Sequence, residues 1–255
     1  MKRDLRLEWT LFLLAVQFLT RLPVPRDLEF SDDLLARATK YYPLVGALIG
    51  LIGALVLWVF SALVPVPVAV LLSMAATILA TGAFHEDGLA DAADGLGGGL
   101  TRDRALEIMR DSRIGTYGAV TLGMTLALKA SILMAFEPWM AGVALIAGHA
   151  ISRMAVVHVI ATTDYARHDG AKFTAPTVTP EGYRVALIYA GVVLLGLVFA
   201  AGLGVAAVAF VGATTLGQVF RSVYLRKLGG YTGDCLGGTQ QMAEIGMLLA
   251  VLIWL

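Results

Sequence analysis

Residues 67–95 read PVAVLLSMAATILATGAFHEDGLADAADG, an apolar run that ends in a dense group of ionisable side chains. The run over 67–84 contains no Asp, Glu, Lys or Arg, and its length is close to the ~20 residues that cross a bilayer. The next eleven residues, from His85 onward, contain five ionisable side chains. The stretch therefore predicts a membrane span that leads directly into a polar site.

The three aspartates of this stretch fall on one face of a helix. With about 100° per residue, Asp87, Asp91 and Asp94 lie at roughly 0°, 40° and −20°. Like charges this close repel one another, and each ionised group near lipid costs roughly 2.5–3.5 kcal/mol on insertion scales. A divalent cation would offset both costs, and ligands that are all oxygen favour Mg²⁺ or Mn²⁺ over zinc. We expect Asp87, Asp91, Asp94 and Glu86 to bind the metal, and these four with His85 to be catalytic. The alternative is a helix end that frays into a polar loop.

The composition is that of a polytopic membrane protein. Hydrophobic residues make up 58% of the 255, charged residues 15%, and the mean hydropathy is +0.78, whereas soluble domains are about a quarter charged. The single cysteine, Cys235, excludes an internal disulfide, and no group of cysteines and histidines has the spacing of a zinc site. We expect the lipid bilayer as a partner, and no nucleic acid.

Seven apolar runs have the length of a membrane span. They cover residues 43–64, 67–84, 117–136, 139–161, 184–201, 205–225 and 239–255. Three connections between them are tight and contain no Lys or Arg, namely 64–67, 137–139 and 201–204. We predict an all-α polytopic bundle of about seven transmembrane helices, which forms a single integral membrane catalytic domain over residues 1–255.

Basic residues collect at the opposite ends of these spans. They are Arg21, Arg26, Arg37, Lys40, Arg102, Arg104, Arg110, Arg113, Arg167, Lys172, Arg184, Arg226 and Lys227. By the positive-inside rule this side faces the cytoplasm. We therefore predict a multi-pass protein of the cytoplasmic (inner) membrane, with the carboxylates at the cytoplasmic end of the second span.

Residues 5–22 do not fit the alternation of spans. The segment is apolar, but a crossing would place Lys2, Arg3 and Arg6 outside and break the charge pattern. Trp9 and the flanking arginines suit a helix that lies at the headgroup level. We predict an interfacial or half-inserted helix, and an eighth span is the alternative.

The loop after the carboxylates has the features of a phosphate site. It begins with a glycine stretch over 95–99 that we expect to be flexible, and Thr101 is a candidate cap for a short helix. Arg110, Arg113 and Thr116 then precede the third span, where guanidinium groups and exposed amides suit phosphate oxygens. The alternative is a basic loop that membrane topology alone requires.

Two further polar residues are candidates for substrate binding. Asp234 lies in GGYTGDCLGG, residues 229–238, a predicted loop before the last span. There it could complete a metal shell, hold a ligand hydroxyl, or only cap a glycine-rich turn. Arg153 lies inside the fourth span and needs an anionic partner, either the carboxylates near Asp87 or a bound phosphate.

Five blocks of the chain together resemble a known family. They are FLTRLPVP (18–25), YYPLVGALIG (41–50), HEDGLADAADGLGGG (85–99), RDSRIGTYG (110–118) and GGYTGD (229–234). They resemble the cobalamin synthases, the adenosylcobinamide-GDP ribazoletransferases. The resemblance implies an integral membrane enzyme that joins adenosylcobinamide-GDP to α-ribazole or its 5′-phosphate, releases GMP and requires Mg²⁺.

Two other functions remain open from the residues. A CDP-alcohol phosphotransferase also places an Asp-Gly-x-x-Ala motif around a metal, but here Asp91 stands where that family has Arg, and the later Gly-x-x-x-Asp-x-x-x-Asp half is missing. A cation-coupled transporter could use intramembrane carboxylates, but the polar groups gather on one side. Formation of a homo-oligomer and contacts with other enzymes of the pathway also remain open.

Overall fold

The structure, a computed structural model, describes residues 2–166 and 176–255, with side chains from Leu5 onward. Arg167 and Lys172, which the predicted topology uses, lie outside the described residues. The described chain contains helices and no strand, and one isolated bridge joins Tyr165 to Tyr231. The helices are α1 (Lys2–Leu19), α2 (Asp32–Ala38), α3 (Tyr42–Ser61), α4 (Val66–Thr81), α5 (Phe84–Gly98), α6 (Arg102–Ile108), α7 (Thr116–Ala135), α8 (Pro138–Thr162), α9 (Pro180–Ala201), α10 (Leu203–Leu228) and α11 (Gly233–Trp254). The all-α prediction is confirmed.

Six helical segments are long and apolar enough to cross a membrane. They are α7 to α11 and the continuous segment Asp32–Ser61, in which a 3-10 turn joins α2 to α3. The bent pair of α4 and α5 gives a seventh candidate. The seven apolar runs of the sequence thus correspond to α3, α4 and α7 to α11, as expected for a multi-pass bundle.

The second span differs from a straight helix. α4 has 16 residues and is about 24 Å long, which is shorter than the ~30 Å of hydrocarbon. The chain then turns by 86° into α5. The carboxylates therefore lie on a separate helix that runs across the direction of α4, and not on the end of α4 itself.

Tryptophans mark the end of the bundle at which the short connections lie. Trp58 and Trp139 stack with ring centroids 5.1 Å apart, and Trp58 Nε1 donates to the Pro138 carbonyl at 3.0 Å. The Trp254 ring lies against Gly204 at the same end. Tryptophan is enriched where a membrane meets water, so this end has the character of a membrane interface.

α1 packs against α2 and against the start of α3. The basic residues of the sequence predict that this end of the bundle faces the cytoplasm. Its inner face buries Leu11, Leu14 and Ala15, while Trp9 is 61% exposed on the outer face. Glu8 accepts hydrogen bonds from Tyr41 Oη and Lys40 Nζ, each at 2.6 Å. Burial raises the pKa of Glu8, but these two hydrogen bonds outweigh burial, so the pKa lies below its usual value. The interfacial position of α1 stays a prediction.

Candidate active site

The site begins at the bend between α4 and α5. Gly82 and Ala83 both have left-handed backbone, with φ of 65° and 58°, and this reverses the course of the chain between the helices. The backbone N–H of Arg21 donates to the Ala80 carbonyl at 2.7 Å. The Arg21 side chain lies against Gly82, where a Cβ would overlap it. The segment after α1 thus fixes the start of α5.

α5 presents its acidic residues to two different surroundings. Asp87 is exposed and Asp91 is half-buried, and we call these two the carboxylate face. His85 and Glu86 point into the protein and are 4% and 8% exposed. Asp94 is 7% exposed at the other end of the helix. The five residues expected to form one site are therefore divided between a surface and an interior.

Asp94 joins α5 to the first turn of α7. Its Oδ2 accepts from the backbone N–H of Gly115 at 2.7 Å, and its Oδ1 accepts from that of Gly118 at 2.8 Å. These amides lie at the start of α7 and have no partner within that helix, so the carboxylate satisfies their hydrogen bonds. Its negative charge also interacts favourably with the positive end of the helix dipole. The carboxylate stretch and the RDSRIGTYG block meet through this one side chain.

The first turns of α11 cross α5 at close range. The Gly88 Cα and the Gly237 Cα face each other so closely that a Cβ on Gly237 would lie 3.1 Å from Gly88 Cα. A Cβ on Gly88 would lie 3.2 Å from the Asp234 carbonyl oxygen. Because Asp91 lies one turn beyond Gly88 on the same side of α5, the crossing brings Asp234 next to the carboxylate face.

Two stretches predicted as loops are helical. α5 continues through Gly98, and Gly99 is its C-cap. The absence of a side chain at Gly95 and Gly99 allows α6 to approach, since Cβ atoms there would overlap Met109 and Ala105. α11 begins at Gly233, six residues before the predicted span, and the side chain of Thr232 caps it by accepting from the Cys235 N–H at 3.2 Å. The predicted cap of α6 is confirmed, since Thr101 Oγ1 accepts from the Arg104 N–H.

The predicted phosphate ligands of the loop before α7 are exposed. Arg110, Arg113 and Thr116 all lie at the surface beside the start of α7. Arg113 forms a two-point ion pair with Asp111, at 2.6 Å from Nη2 and 3.0 Å from Nε. Hydrogen bonds from Arg113 lower the pKa of Asp111 to about 2. The loop therefore presents positive charge that an exposed carboxylate only partly neutralises.

Arg153 lies elsewhere, in the interior of the bundle. It is 1% exposed, and its Nη1 lies 3.1 Å from both His149 Nδ1 and the His149 carbonyl oxygen. Of the two anionic partners expected for this side chain, the carboxylates near Asp87 or a bound phosphate, the structure places it among carboxylates. Its surroundings include Glu86 and Glu244, whose negative charges favour the guanidinium.

Sequence reasoning missed three interior polar residues of α11. Gln240, Gln241 and Glu244 are each 2% exposed or less, and Glu244 pairs with Lys129 Nζ at 2.6 Å. A signal was present, because an ionisable residue and two amides inside an apolar span mark a functional or structural polar network. The spacing of four between Gln240 and Glu244 also places them on one helix face.

The donor set suits a hard divalent ion held by few protein ligands. Within residues 2–166 and 176–255, no three His, Cys, Asp or Glu side chains come together as a ready group of metal ligands. Mg²⁺ is commonly bound by one or two carboxylates, with substrate phosphates and water as its other ligands. The carboxylates of Asp87, which is exposed, and Asp91, which is half-buried, fit this arrangement. Both oxygens of Asp94 accept amide hydrogen bonds from the start of α7.

Comparison with known proteins identifies the family. The sequence profile of the cobalamin-5-phosphate synthase family matches residues 11–252. The chain belongs to this family. The matched region of the cobalamin-5-phosphate synthase profile extends from α1 to α11, so every part of the site described above lies inside it.

Curated relatives carry one shared name, adenosylcobinamide-GDP ribazoletransferase. The relative from Ralstonia nicotianae is 47% identical over 248 residues and covers 94% of each chain. The relative from Ralstonia pickettii is 44% identical and covers 98% of each chain. The relative from a Shewanella species is 41% identical and covers 96% of this chain and 95% of its own. No solved structure matches the chain.

Proposed function

We propose that this chain joins adenosylcobinamide-GDP to α-ribazole or its 5′-phosphate and releases GMP. The similarity to ribazoletransferases over 94% or more of the chain carries the proposal. The geometry supports it, because the carboxylate stretch and the Gly115–Gly118 turn, two distinctive blocks of the sequence, meet at Asp94.

The reaction is a displacement at phosphorus. The 5′-hydroxyl oxygen of the ribazole bonds to the corrinoid-side phosphorus, the bond from that phosphorus to the bridging oxygen breaks, and GMP leaves with the electron pair. The hydroxyl proton passes to a carboxylate of the carboxylate face. Such transfers depend mainly on positioning and on stabilisation of charge, so the rigid attachment of α5 is central to catalysis.

We propose Mg²⁺ as the required ion, with Asp87 and Asp91 as its protein ligands. Asp87 and Asp91 would hold the ion, which would supply positive charge to stabilise the diphosphate and the leaving GMP. Asp94 holds the start of α7, and Glu86 and His85 support α5 from the interior. The proposed metal site therefore uses two of the four carboxylates that the sequence suggested.

Arg110, Arg113 and Thr116 are assigned to the phosphate oxygens. They are exposed where α7 begins, beside the carboxylate stretch. The ion pair of Arg113 with Asp111 does not prevent this role, because ion pairs between exposed groups are weakened by solvent and salt. A diphosphate can therefore replace Asp111 as the partner of the guanidinium group.

We place the protein in the cytoplasmic membrane with the carboxylate face toward the cytoplasm. The placement rests on the basic residues near this face and on connections without Lys or Arg at the opposite, tryptophan-bearing end. The substrates would then reach the site from the cytosol.

The deciding experiment supplies purified protein in lipid nanodiscs with adenosylcobinamide-GDP, α-ribazole and Mg²⁺. We expect equimolar GMP and joined corrinoid, and no product with Asp87→Asn. In a parallel reaction, CDP-diacylglycerol and an alcohol acceptor should release no CMP. Release of CMP without the corrinoid product would replace the proposal by a phospholipid synthesis activity.

A further inference from the structure

A row of buried polar side chains leads from α5 into the centre of the bundle. Oε1 of Glu86 accepts from Gln241 Nε2 at 3.1 Å, and the same nitrogen donates to Gln240 Oε1 at 2.9 Å. Gln240 Nε2 donates to Glu244 Oε2 at 2.9 Å, and Glu244 pairs with Lys129 at 2.6 Å. We call these five residues the buried chain.

The hydrogen bonds of the buried chain run outward from the Gln241 amide, to Glu86 on one side and through Gln240 to Glu244 on the other. Gln240 Nε2 donates to Glu244 and to Ser152 Oγ, each at 2.9 Å, while Gln241 Nε2 donates to Glu86 and Gln240. A side-chain amide nitrogen has two hydrogens, so both amides use their full donor capacity. Rotation of either amide by 180° would place its oxygen against a carboxylate oxygen. The orientation of both amides is therefore fixed, and with it the positions of Glu86 and Glu244.

Charge makes the arrangement difficult to change. Two buried cations, Lys129 and Arg153, face two buried carboxylates, Glu86 and Glu244, and all four are 8% exposed or less. The loss of one partner of a buried pair leaves the other charge uncompensated in a low-dielectric interior. A small displacement of Glu86 from its partner would have the same consequence, so the buried chain resists such displacement.

Glu86 and Asp94 attach α5 at its two ends. Glu86 bonds to α11 and Asp94 to α7, and the two lie eight positions apart, about 12 Å along the helix. Between these points α5 crosses α11 through Gly88 and Gly237. A crossing of two glycines allows close approach but offers no side chain that could stop α5 from rotating.

We infer that the buried chain positions the carboxylate face by fixing the rotation of α5 about its own axis. Gln241 is the link to Glu86, and Glu244 with Lys129 hold the far end. These are positioning residues, since they act through Glu86 on the neighbouring Asp87 and Asp91. Only the kinetic part of the test rests on the proposed function.

The link is tested with Gln241→Met, which keeps the length of the side chain and adds no charge. The matched control is Thr239→Val, because Thr239 is equally buried on α11 but donates to the Cys235 carbonyl of that helix at 2.7 Å, and its other polar neighbour, Tyr224, belongs to α10 and not to α5. Hydrogen exchange of the α5 amides, residues 84–98, is measured by mass spectrometry in nanodiscs. Turnover and the Mg²⁺ concentration for half-maximal rate are measured on the same samples.

We expect Gln241→Met to speed exchange in α5 by about tenfold or more, since a hydrogen bond to a charged group is lost. The kcat should fall by a similar factor, and more Mg²⁺ should be needed. Thr239→Val should leave all three at wild-type values. Wild-type exchange and kinetics in Gln241→Met would overturn the inference, and so would equally faster exchange across α5, α8 and α11. A third result separates the two proposals. If Gln241→Met speeds exchange in α5 but the wild type and all variants are inactive, the proposed function fails while the positioning role stands.

The far end is tested with the double variant Lys129→Met, Glu244→Gln. It removes one charge of each sign, so the interior stays balanced and the protein can insert. The buried chain predicts faster exchange in α5 together with a lower kcat, although Lys129 belongs to α7 and Glu244 to α11. Wild-type exchange in α5 would show that Glu244 and Lys129 do not act on this helix.

Discussion

Asp94 and Gly118 lie so close together that the carboxylate of one occupies the space where a side chain of the other would be. Oδ1 of Asp94 accepts from the Gly118 N–H at 2.8 Å, and a Cβ on Gly118 would lie 2.8 Å from the Ala90 carbonyl oxygen and 3.0 Å from Asp94 Cγ. Glycine at this position is therefore a requirement of the contact between α5 and α7.

Gly118→Ala should separate α5 from the start of α7. Because the added methyl group meets backbone and a carboxylate, the neighbouring helix must shift, and we expect turnover to fall about tenfold or more and the melting temperature to drop. Gly123→Ala on the same helix is the control, since nothing lies within 4 Å of its Cβ position. Equal behaviour of the two variants would show that the close contact has no role.

Asp87→Asn and Asp91→Asn should abolish turnover while the protein stays folded. Each change removes a charge from a carboxylate that is exposed or half-buried, so the loss falls on metal binding and not on packing. Product formation and melting temperature, measured across Mg²⁺ concentrations, are the readouts. Near wild-type rates with unchanged Mg²⁺ dependence in both variants would exclude the carboxylate face as the metal site.

Asp94→Asn should act differently from these two changes. The amide nitrogen of Asn cannot accept a hydrogen bond, so one of the Gly115 and Gly118 amides loses its partner. Loss of such a helix cap costs about 0.5–2 kcal/mol. We expect a lower melting temperature together with reduced activity, but an unchanged Mg²⁺ requirement in the activity that remains.

Arg113→Lys tests the assigned phosphate contact. Lysine keeps the charge but loses the paired geometry of the guanidinium group, and a charged hydrogen bond is worth roughly 1.5–3 kcal/mol. The kcat/KM for adenosylcobinamide-GDP should therefore fall about ten- to a hundredfold. Arg104→Lys is the control, because Arg104 pairs with Glu107 on the exposed side of α6. Full activity of Arg113→Lys per inserted protein would move the role to other residues.

The docking of α1 should weaken in acid. The pKa of Glu8 lies below its usual value when α1 is docked, so its contribution to stability is complete above the usual pKa and is lost as the pH falls through the lowered one. We expect Trp9 fluorescence to report release of α1 in this range, and Glu8→Gln to release it at neutral pH. Asp33→Asn, which alters an exposed pair with Arg37, should change neither.

Cysteine labelling tests the orientation of the bundle. In a Cys235→Ser background, cysteines near Pro65, Glu137 and Gly202 should react with an impermeant reagent from outside intact cells. Cysteines near Arg104 and Arg167 should react only after the cells are opened. The reverse pattern would place the carboxylate face on the side away from cytosolic substrates.

The spans could be predicted from the sequence, but the bend before the site could not. Hydrophobic runs near 20 residues identify α3 and α7 to α11 because the bilayer sets that length. The turn at Gly82 and Ala83 depends on Arg21 and α5 packing around it, and these contacts are far apart in the sequence. Its local sign was Gly82, a glycine at the left-handed C-cap of α4.

Helical spacing predicted the carboxylates of the site, but it did not predict which of them are buried and which lie at the surface. Spacing places Asp87, Asp91 and Asp94 on one helix face, yet only packing shows that Asp94 meets α7 and that Glu86 meets Gln241. The glycines at 233–238 favoured a loop, although Thr232 and Asp234 carry the cap and first-turn signals of a helix. Of these, Gly237 lies against α5 and Gly238 lies against Phe220.

The separation of 155 positions between Glu86 and Gln241 imposes an order on the synthesis of the protein. At ribosomal speeds of about 5–20 residues per second, Glu86 waits roughly 8–30 s for its partner on α11 to be synthesised. During that time α5 carries a carboxylate that the finished interior would accept but lipid would not. The reactive surface is thus among the last parts of the molecule to mature, and a chain halted before α11 has the earlier spans but not the partner that holds Glu86.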